Sequence, residues 1–266
     1  KESVELEKDA SSKTTIYYFA YSASFMIKNK KIDKNTLIGD FLDIIEIINA
    51  NNPLGDDKSW NTIYSNTISL IGGEIDCETL VSNFGNQFQP NYDNLAMLKQ
   101  FQTTLEARKC LDNTTYVSIC ERIYELEPSA KAAYNLGIIF KNKEKYQKST
   151  FYFEEAYNLE EDNTMKAKYA MAVADIYRLA GNYPNSRSFA LKAANLTPDD
   201  GTPYMFIGGL YAASAKSCGT SAFEQKAVYW IAVDQYNIAR SKGSTDAAEQ
   251  VARLTQAFPT KEDAFY

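Results

Sequence analysis

Apolar and polar positions along this chain recur with the period of a helix over most of its length. The clearest stretch runs from about Ala130 to Asn163. There Ala133, Leu136, Gly137 and Phe140 fall at i, i+3, i+4 and i+7, the stripe that an amphipathic helix turns toward its neighbour. A second helix follows, opened by Tyr146 and carried by Ser149, Phe153, Ala156 and Leu159. The segment from Ala167 to Asp200 repeats the scheme with Ala170, Val173, Ala174 and Tyr177, then Tyr183, Ser186, Ala190, Ala193 and Leu196. A third unit starts at Gly201 with Tyr204, Ile207, Gly208 and Tyr211, and resumes with Ala232, Tyr236 and Ala239 after an excursion over Ala212 to Ala222. Gly181 stops one helix, and Pro184 suits the first turn of the next, where its missing N–H costs nothing.

Upstream the rhythm is looser but persists. Helices are expected through Leu95, Leu98, Phe101 and Leu105, and through Tyr116, Ile119, Ile123 and Leu126, closed by Pro128. Before them, Trp60 to Ile71 reads as a helix stopped by Gly72-Gly73. Asp76 then caps a shorter one through Leu80, Phe84 and Phe88, ended at Pro90. Thr14 to Ile27 and Thr36 to Ala50 make an earlier pair, closed by Pro53, and Lys1 to Lys8 looks like the end of a second helix. At the far end, Thr245 to Phe258 forms an amphipathic helix through Ala248, Val251, Leu254 and Phe258, placed to cap the last face.

Small residues beside large ones at fixed places let two helix backbones approach while aromatics of the next helix fill the space between turns. Three such units in tandem resemble the tetratricopeptide repeat (TPR), whose period is about 34 residues. The resemblance implies an all-α fold of tandem antiparallel helix pairs, about eleven helices in all, stacked as a TPR-like right-handed α-solenoid without a sheet. Residues 1–92 are then a degenerate helical-repeat region that starts in mid-repeat, and residues 93–266 a TPR array with a C-terminal capping helix. Gly137 and Gly208 are expected at close helix crossings. The segments IDCETLVSNFGNQFQPN, LYAASAKSCG, KAVYWIAVDQY and FPTKEDAFY further resemble exported TPR proteins of Bacteroidetes that have no assigned activity. Such proteins carry an export signal, earlier repeats and a short tail that this stretch lacks. The chain, opening at Lys1 without methionine, is expected to be a piece of a longer protein. The same resemblance implies an extracytoplasmic location, in the periplasm or on the envelope.

Composition narrows the chemistry. The 266 residues contain no histidine, which removes the usual general base near neutral pH and the commonest transition-metal ligand. The four cysteines have no C-x-x-C pair, and no phosphate-binding glycine motif occurs, so neither an enzyme, nor a metal, nor a cofactor is expected. A net charge of −6 argues against nucleic acid. No apolar run reaches the ~18 residues of a spanning helix. The 19 tyrosines and 14 phenylalanines read as packing between helices rather than as ligand platforms. The basic run Lys28, Lys30, Lys31 and Lys34 reads as a solvated loop, and two Asn-x-Thr triplets at Asn113 and Asn195 as chance matches to the glycosylation pattern. The excursion at Ala212 to Ala222 is either a plain surface loop or a docking element for a tail.

What remains is binding. In stacked helix pairs the first helix of each pair lines a concave surface that takes peptides or partner helices. Its outward positions give a candidate partner groove of Tyr134, Ile138, Lys141, Met171, Asp175, Arg178, Met205 and Gly209. Ile138 stands where a polar clamp for a terminal carboxylate would be wanted, so that mode is not expected. The function implied is a non-catalytic scaffold for a protein or peptide partner, with a structural spacer or assembly subunit of an envelope complex as the second reading. An exported protein is permitted disulfides. Cys77 at the start of one helix and Cys110 at the end of the antiparallel next one lie toward the same end. The longer second helix threatens an overshoot of about two turns, ~10 Å at 1.5 Å per residue. A Cys77–Cys110 bridge stands against the alternative of four free thiols, with Cys120 buried on an apolar helix face and Cys218 in the excursion.

Overall fold

The computed structural model describes residues 13–52, 57–72 and 75–264. The expectations for Lys1 to Lys8, for the closure at Pro53 and for Gly73 lie outside the described residues. Among the described residues there are fourteen α-helices and a single 3₁₀ turn, with no strand. The count exceeds about eleven because the segments expected one by one already number thirteen within these residues, and Lys261–Ala264 adds one more. One compact unit ends at Glu127 and a second begins at Pro128. The sequence-based boundary at 92/93 falls inside the first unit.

The first unit holds α1 (Lys13–Lys28), α2 (Lys34–Asn51), α3 (Lys58–Gly72), α4 (Cys77–Phe88), α5 (Leu95–Ala107) and α6 (Thr114–Leu126). Helices α1, α2 and α3 pack on one another, burying Ile16, Ala20, Leu37, Phe41, Ile44, Ile48 and Trp60. The next three helices bury Leu80, Phe84, Leu98, Phe101, Leu105, Ile119 and Ile123, with the Phe84 and Phe101 rings stacked 4.4 Å apart. Side-chain oxygens close the orphan N–H groups at their starts: Asp76, Asn94 and Asn113 accept from Thr79, Met97 and Tyr116. The Asn113 triplet thus has a structural use as a helix cap.

The second unit is a run of helix pairs: α7 (Ala130–Asn142) with α8 (Tyr146–Leu159), α9 (Asn163–Leu179) with α10 (Tyr183–Leu196), and α11 (Thr202–Ser214) with α12 (Ala222–Ser241). Helix α8 packs on α9 and α10 on α11, so each pair stacks on the next. The small residues sit where the sequence placed them. A methyl group added at Gly137 would come within 2.4 Å of the Phe153 ring, and one at Gly208 within 2.8 Å of Tyr236. At the equivalent crossing of the middle pair, both Ala174 and its counterpart Ala190 are small and fully buried. In the first two pairs a buried serine of the second helix donates across the crossing, Ser149 to the Gly137 carbonyl at 2.8 Å and Ser186 to the Ala174 carbonyl at 2.7 Å. Ala232 takes that place in the third pair.

Three expectations shift. The excursion after Tyr211 is mostly helical, with only 218–221 left as a surface turn. Helix α11 runs on to Ser214, a 3₁₀ turn covers Ala215–Ser217, and Ser221 starts α12 with a capping box to Glu224. Tyr229 corresponds to Tyr146 and Tyr183, which open α8 and α10, so α12 begins about two turns early. After α13 (Ala247–Thr255), which packs on the later turns of α12, the C-terminal segment with α14 (Lys261–Ala264) comes to those added turns. Lys226 donates to both Asp263 oxygens at 2.7 Å, holding that carboxyl down to about 2, and Trp230 meets Phe258 edge-on. In α13 the inward alanine is Ala247, fully buried, while Ala248 is exposed. The buried Ala247 and Leu254 share the face of Val251, and that register, not the one through Ala248, meets the α12 cluster. Leu159, expected inside, is exposed at the last residue of α8.

Helix α7 and helix α9 end in the same motif with different residues. Glu144 N–H bonds the Lys141 carbonyl and Lys145 N–H the Phe140 carbonyl, as Gly181 and Asn182 do with Arg178 and Tyr177. Glu144 must hold φ of 56°, where Gly181 holds 75°. A side chain there costs about 1 kcal/mol that glycine does not pay. Glu144→Gly is therefore expected to raise stability by about 1 kcal/mol in urea unfolding. Gly137→Leu is expected to lower it by ~1–3 kcal/mol through overpacking against Phe153; an unchanged melting temperature would contradict the close crossing.

Candidate functional site

The outward face of the first helix in each pair is the candidate surface, and repeat equivalence orders it. Tyr134, Met171 and Met205 occupy matching places, as do Ile138, Asp175 and Gly209, while Lys141 and Arg178 are matched by Ala212. The structure brings part of this set together. The Lys141 ammonium on α7 donates to one oxygen of Asp175 on α9 at 2.6 Å, and Arg178 donates to the other at 2.6 and 3.1 Å. Burial raises the Asp175 pKa, but the bonds from Lys141 and Arg178 outweigh it and hold the carboxyl below its usual range. Ile138, one turn before Lys141, is exposed on the same face.

The remaining candidates are drawn partly into the packing. Tyr134 is half-buried, its ring 4.8 Å from that of Tyr169 and 5.5 Å from that of Phe153. Met171 packs against the alanine clusters that join α9, α10 and α11, and Met205 against the cluster around Tyr236. Gly209 lies 3.8 Å from the Tyr236 hydroxyl, measured from where a methyl group would sit. These side chains form the floor of the face more than its exposed rim. The sequence reading passed over two exposed lysines, Lys131 and Lys168, each one turn before Tyr134 and Met171. Their signal was the repeat itself, since they hold the same place in successive units. Among the described residues no group of three or more His, Cys, Asp or Glu is arranged to hold a metal ion, and no helix is long and apolar enough to cross a membrane.

In the first unit, Cys77 and Cys110 form a disulfide with Cα atoms 5.4 Å apart. The feared overshoot does not arise, because α5 ends at Ala107. Lys109 then takes φ of 58°, and Cys110 N–H turns back to the Leu105 carbonyl at 2.8 Å. The same end is tied further by Arg108, which donates to the Ile75 carbonyl at 3.2 Å, and by Lys34, which pairs with Asp76. That lysine and the bonds from Thr79 hold the Asp76 carboxyl far below the ordinary carboxylate range. Cys120 is a buried free thiol, pushed up to about 12 chiefly by burial, and Cys218 is free and half-buried.

Comparison with known proteins finds no matching family model and no matching curated protein. Solved structures do match. MamA is 17% identical with a TM-score of 0.48 over 73% of this chain and 97% of its own. YrrB, a TPR protein with an unusual peptide-binding site, is 17% identical with a TM-score of 0.39 over 68% of this chain and 95% of its own. A tetratricopeptide repeat protein from Parabacteroides merdae is 13% identical with a TM-score of 0.39 over 91% and 99%. Each is something the chain resembles in architecture.

The cysteine arrangement is open to direct measurement. Thiol titration of the denatured, unreduced protein is expected to count Cys120 and Cys218 alone, and in the native protein only Cys218 is expected to react promptly. Titration of all four would remove the bridge.

Proposed function

We propose that this chain is a non-catalytic scaffold that binds a protein or peptide partner along the first-helix face of α7, α9 and α11. One observation carries the reading: the Lys141–Asp175 ion pair joins α7 to α9, with Arg178 on the same carboxylate, in a continuous face that no helix of the second compact unit covers at Ile138. Ion pairs this exposed contribute little stability, in the range of ~0–1 kcal/mol. Their effect is to fix where the charges stand relative to the apolar positions, which is what recognition of a partner requires. The half-buried Tyr134, Met171 and Met205 beneath supply adaptable apolar contact. The partner is a protein rather than nucleic acid, in keeping with the net charge of −6.

We place this activity outside the cytoplasm, in the periplasm or on the envelope. The Cys77–Cys110 bridge supports that location, because such bonds persist in oxidising compartments and are kept reduced in the cytosol. The resemblance to exported proteins points the same way. The spacer reading keeps one observation of its own: the added turns of α12 already hold the chain's own C-terminal segment, a use of surface for assembly within the chain.

Cross-linked capture from envelope extract separates the two. Because Met171 and Met205 are load-sharing core contacts, the informative change is at exposed Ile138. Ile138→Glu is expected to abolish capture, whereas Phe151→Glu, on the exposed side of α8, is expected to leave it intact. Capture retained by both variants would favour the spacer.

A further inference from the structure

We propose that the occupant of the α7–α9 face is an extended acidic segment of a partner protein, with carboxylates at the two ends of the face and apolar side chains between them. This rests on the reading of that face as the partner surface. Its two helices present the same sequence of chemistry. Each stripe begins with a lysine, Lys131 and Lys168, and ends with a cation, Lys141 and Arg178. Between them lie Tyr134 and Ile138 on one helix and Met171 on the other. Asp175 is the one acid in the two stripes, and it already accepts from Lys141 on one oxygen and from Arg178 on the other. One carboxylate shared by two cations leaves that end positive, and the Lys131–Lys168 end carries no acid in these stripes. The two stripes therefore carry four cations against one acid, on a chain whose net charge is −6, with Glu160 near enough to act on the Tyr169 phenol at the lysine end. The Lys168 ammonium lies 5.4 Å from the Tyr134 ring centroid, so it leans over the stripe rather than away from it.

Spacing decides the form of the ligand. The basic ends are ten residues apart along each helix, roughly 15 Å at 1.5 Å per residue. An extended chain rises about 3.3 Å per residue, so two glutamates four positions apart span about 13 Å, and long basic side chains cover the difference. The residues between those glutamates then stand over Ile138 and Met171. A nucleic-acid strand would satisfy the cations but leave the apolar middle unused, which makes the peptide the better fit.

The test uses the full chain and three labelled peptides with the cores Glu-Leu-Phe-Leu-Glu, Gln-Leu-Phe-Leu-Gln and Glu-Gly-Ser-Gly-Glu, with labelled oligothymidine alongside. In fluorescence anisotropy the first peptide is expected to bind about tenfold more tightly than either control and to weaken with added salt. The double substitution Lys131→Glu with Lys168→Glu is expected to lower that affinity about tenfold with only a small drop in melting temperature, since both side chains are exposed and only the Lys168–Tyr134 contact is lost. Equal binding of the glutamine form, no binding of the acidic form, or oligothymidine binding as tightly and lost with the same variant would each overturn the proposal. If Ile138→Glu abolishes native capture while the lysine variant leaves it intact, the scaffold reading stands and the acidic ligand falls.

Discussion

The distance between the two helices of each pair is set at one crossing, and the placement of nearly everything outward of it follows. Where the first helix offers glycine, the second offers an aromatic ring, Phe153 over Gly137 and Tyr236 over Gly208. Where it offers Ala174, the second offers Ala190. In the outer pairs the backbone comes so near the ring that only glycine fits beneath it, while in the middle pair two small residues fill the crossing instead. The serine hydroxyls that reach the Gly137 and Ala174 carbonyls satisfy themselves inside this contact, where an unpaired hydroxyl would be costly. Tyr177 uses the neighbouring seam in the same way, donating to Glu154 at 2.7 Å, and burial with that carboxylate pushes its phenol up to about 12.

That crossing divides each first helix into two working faces. Ala133, Leu136 and Phe140 on α7, and Ala170, Val173 and Ala174 on α9, are spent on packing. The positions between them are left for charge and partial exposure. Because the repeats are in register, chemistry at one position is reproduced a pair later, and two short stripes become one surface. The cations at either end and the apolar positions in the middle are products of that repetition, not of a single motif.

The two units solve their stability problem differently. The second stacks regular pairs and closes its last face with α13 and the lengthened α12, burying Ala247 and Leu254 against Ala232, Val233 and Tyr236. The first has less regular crossings and leans on ties between elements distant in sequence. Lys13 pairs with Asp57 at 2.9 Å, Lys34 with Asp76, and the Cys77–Cys110 bridge closes the α4–α5 end. A disulfide of that loop length contributes on the order of 2–4 kcal/mol by restricting the unfolded chain.

The residue order carries the helices, their pairing and the small residues at the crossings, because helical period and residue volume are local properties. It also placed Asp76 as a cap, Gly181 as a stop and Cys120 as a buried thiol for the same reason. Which outward positions stayed outward depended on how the helices stack. Met171 and Met205 share the helical phase of exposed residues, yet the next helix in the stack reaches over them. Whether Cys110 returns to Cys77 depended on one left-handed residue, Lys109, which no pattern of hydrophobicity marks. The excursion after Tyr211 is largely helical and leads into an early start of α12, whose added turn finds its partner in the C-terminal segment, 37 residues along the chain from Lys226 to Asp263. Contacts between residues far apart in the chain follow from where whole elements come to rest, and periodicity carries no record of that.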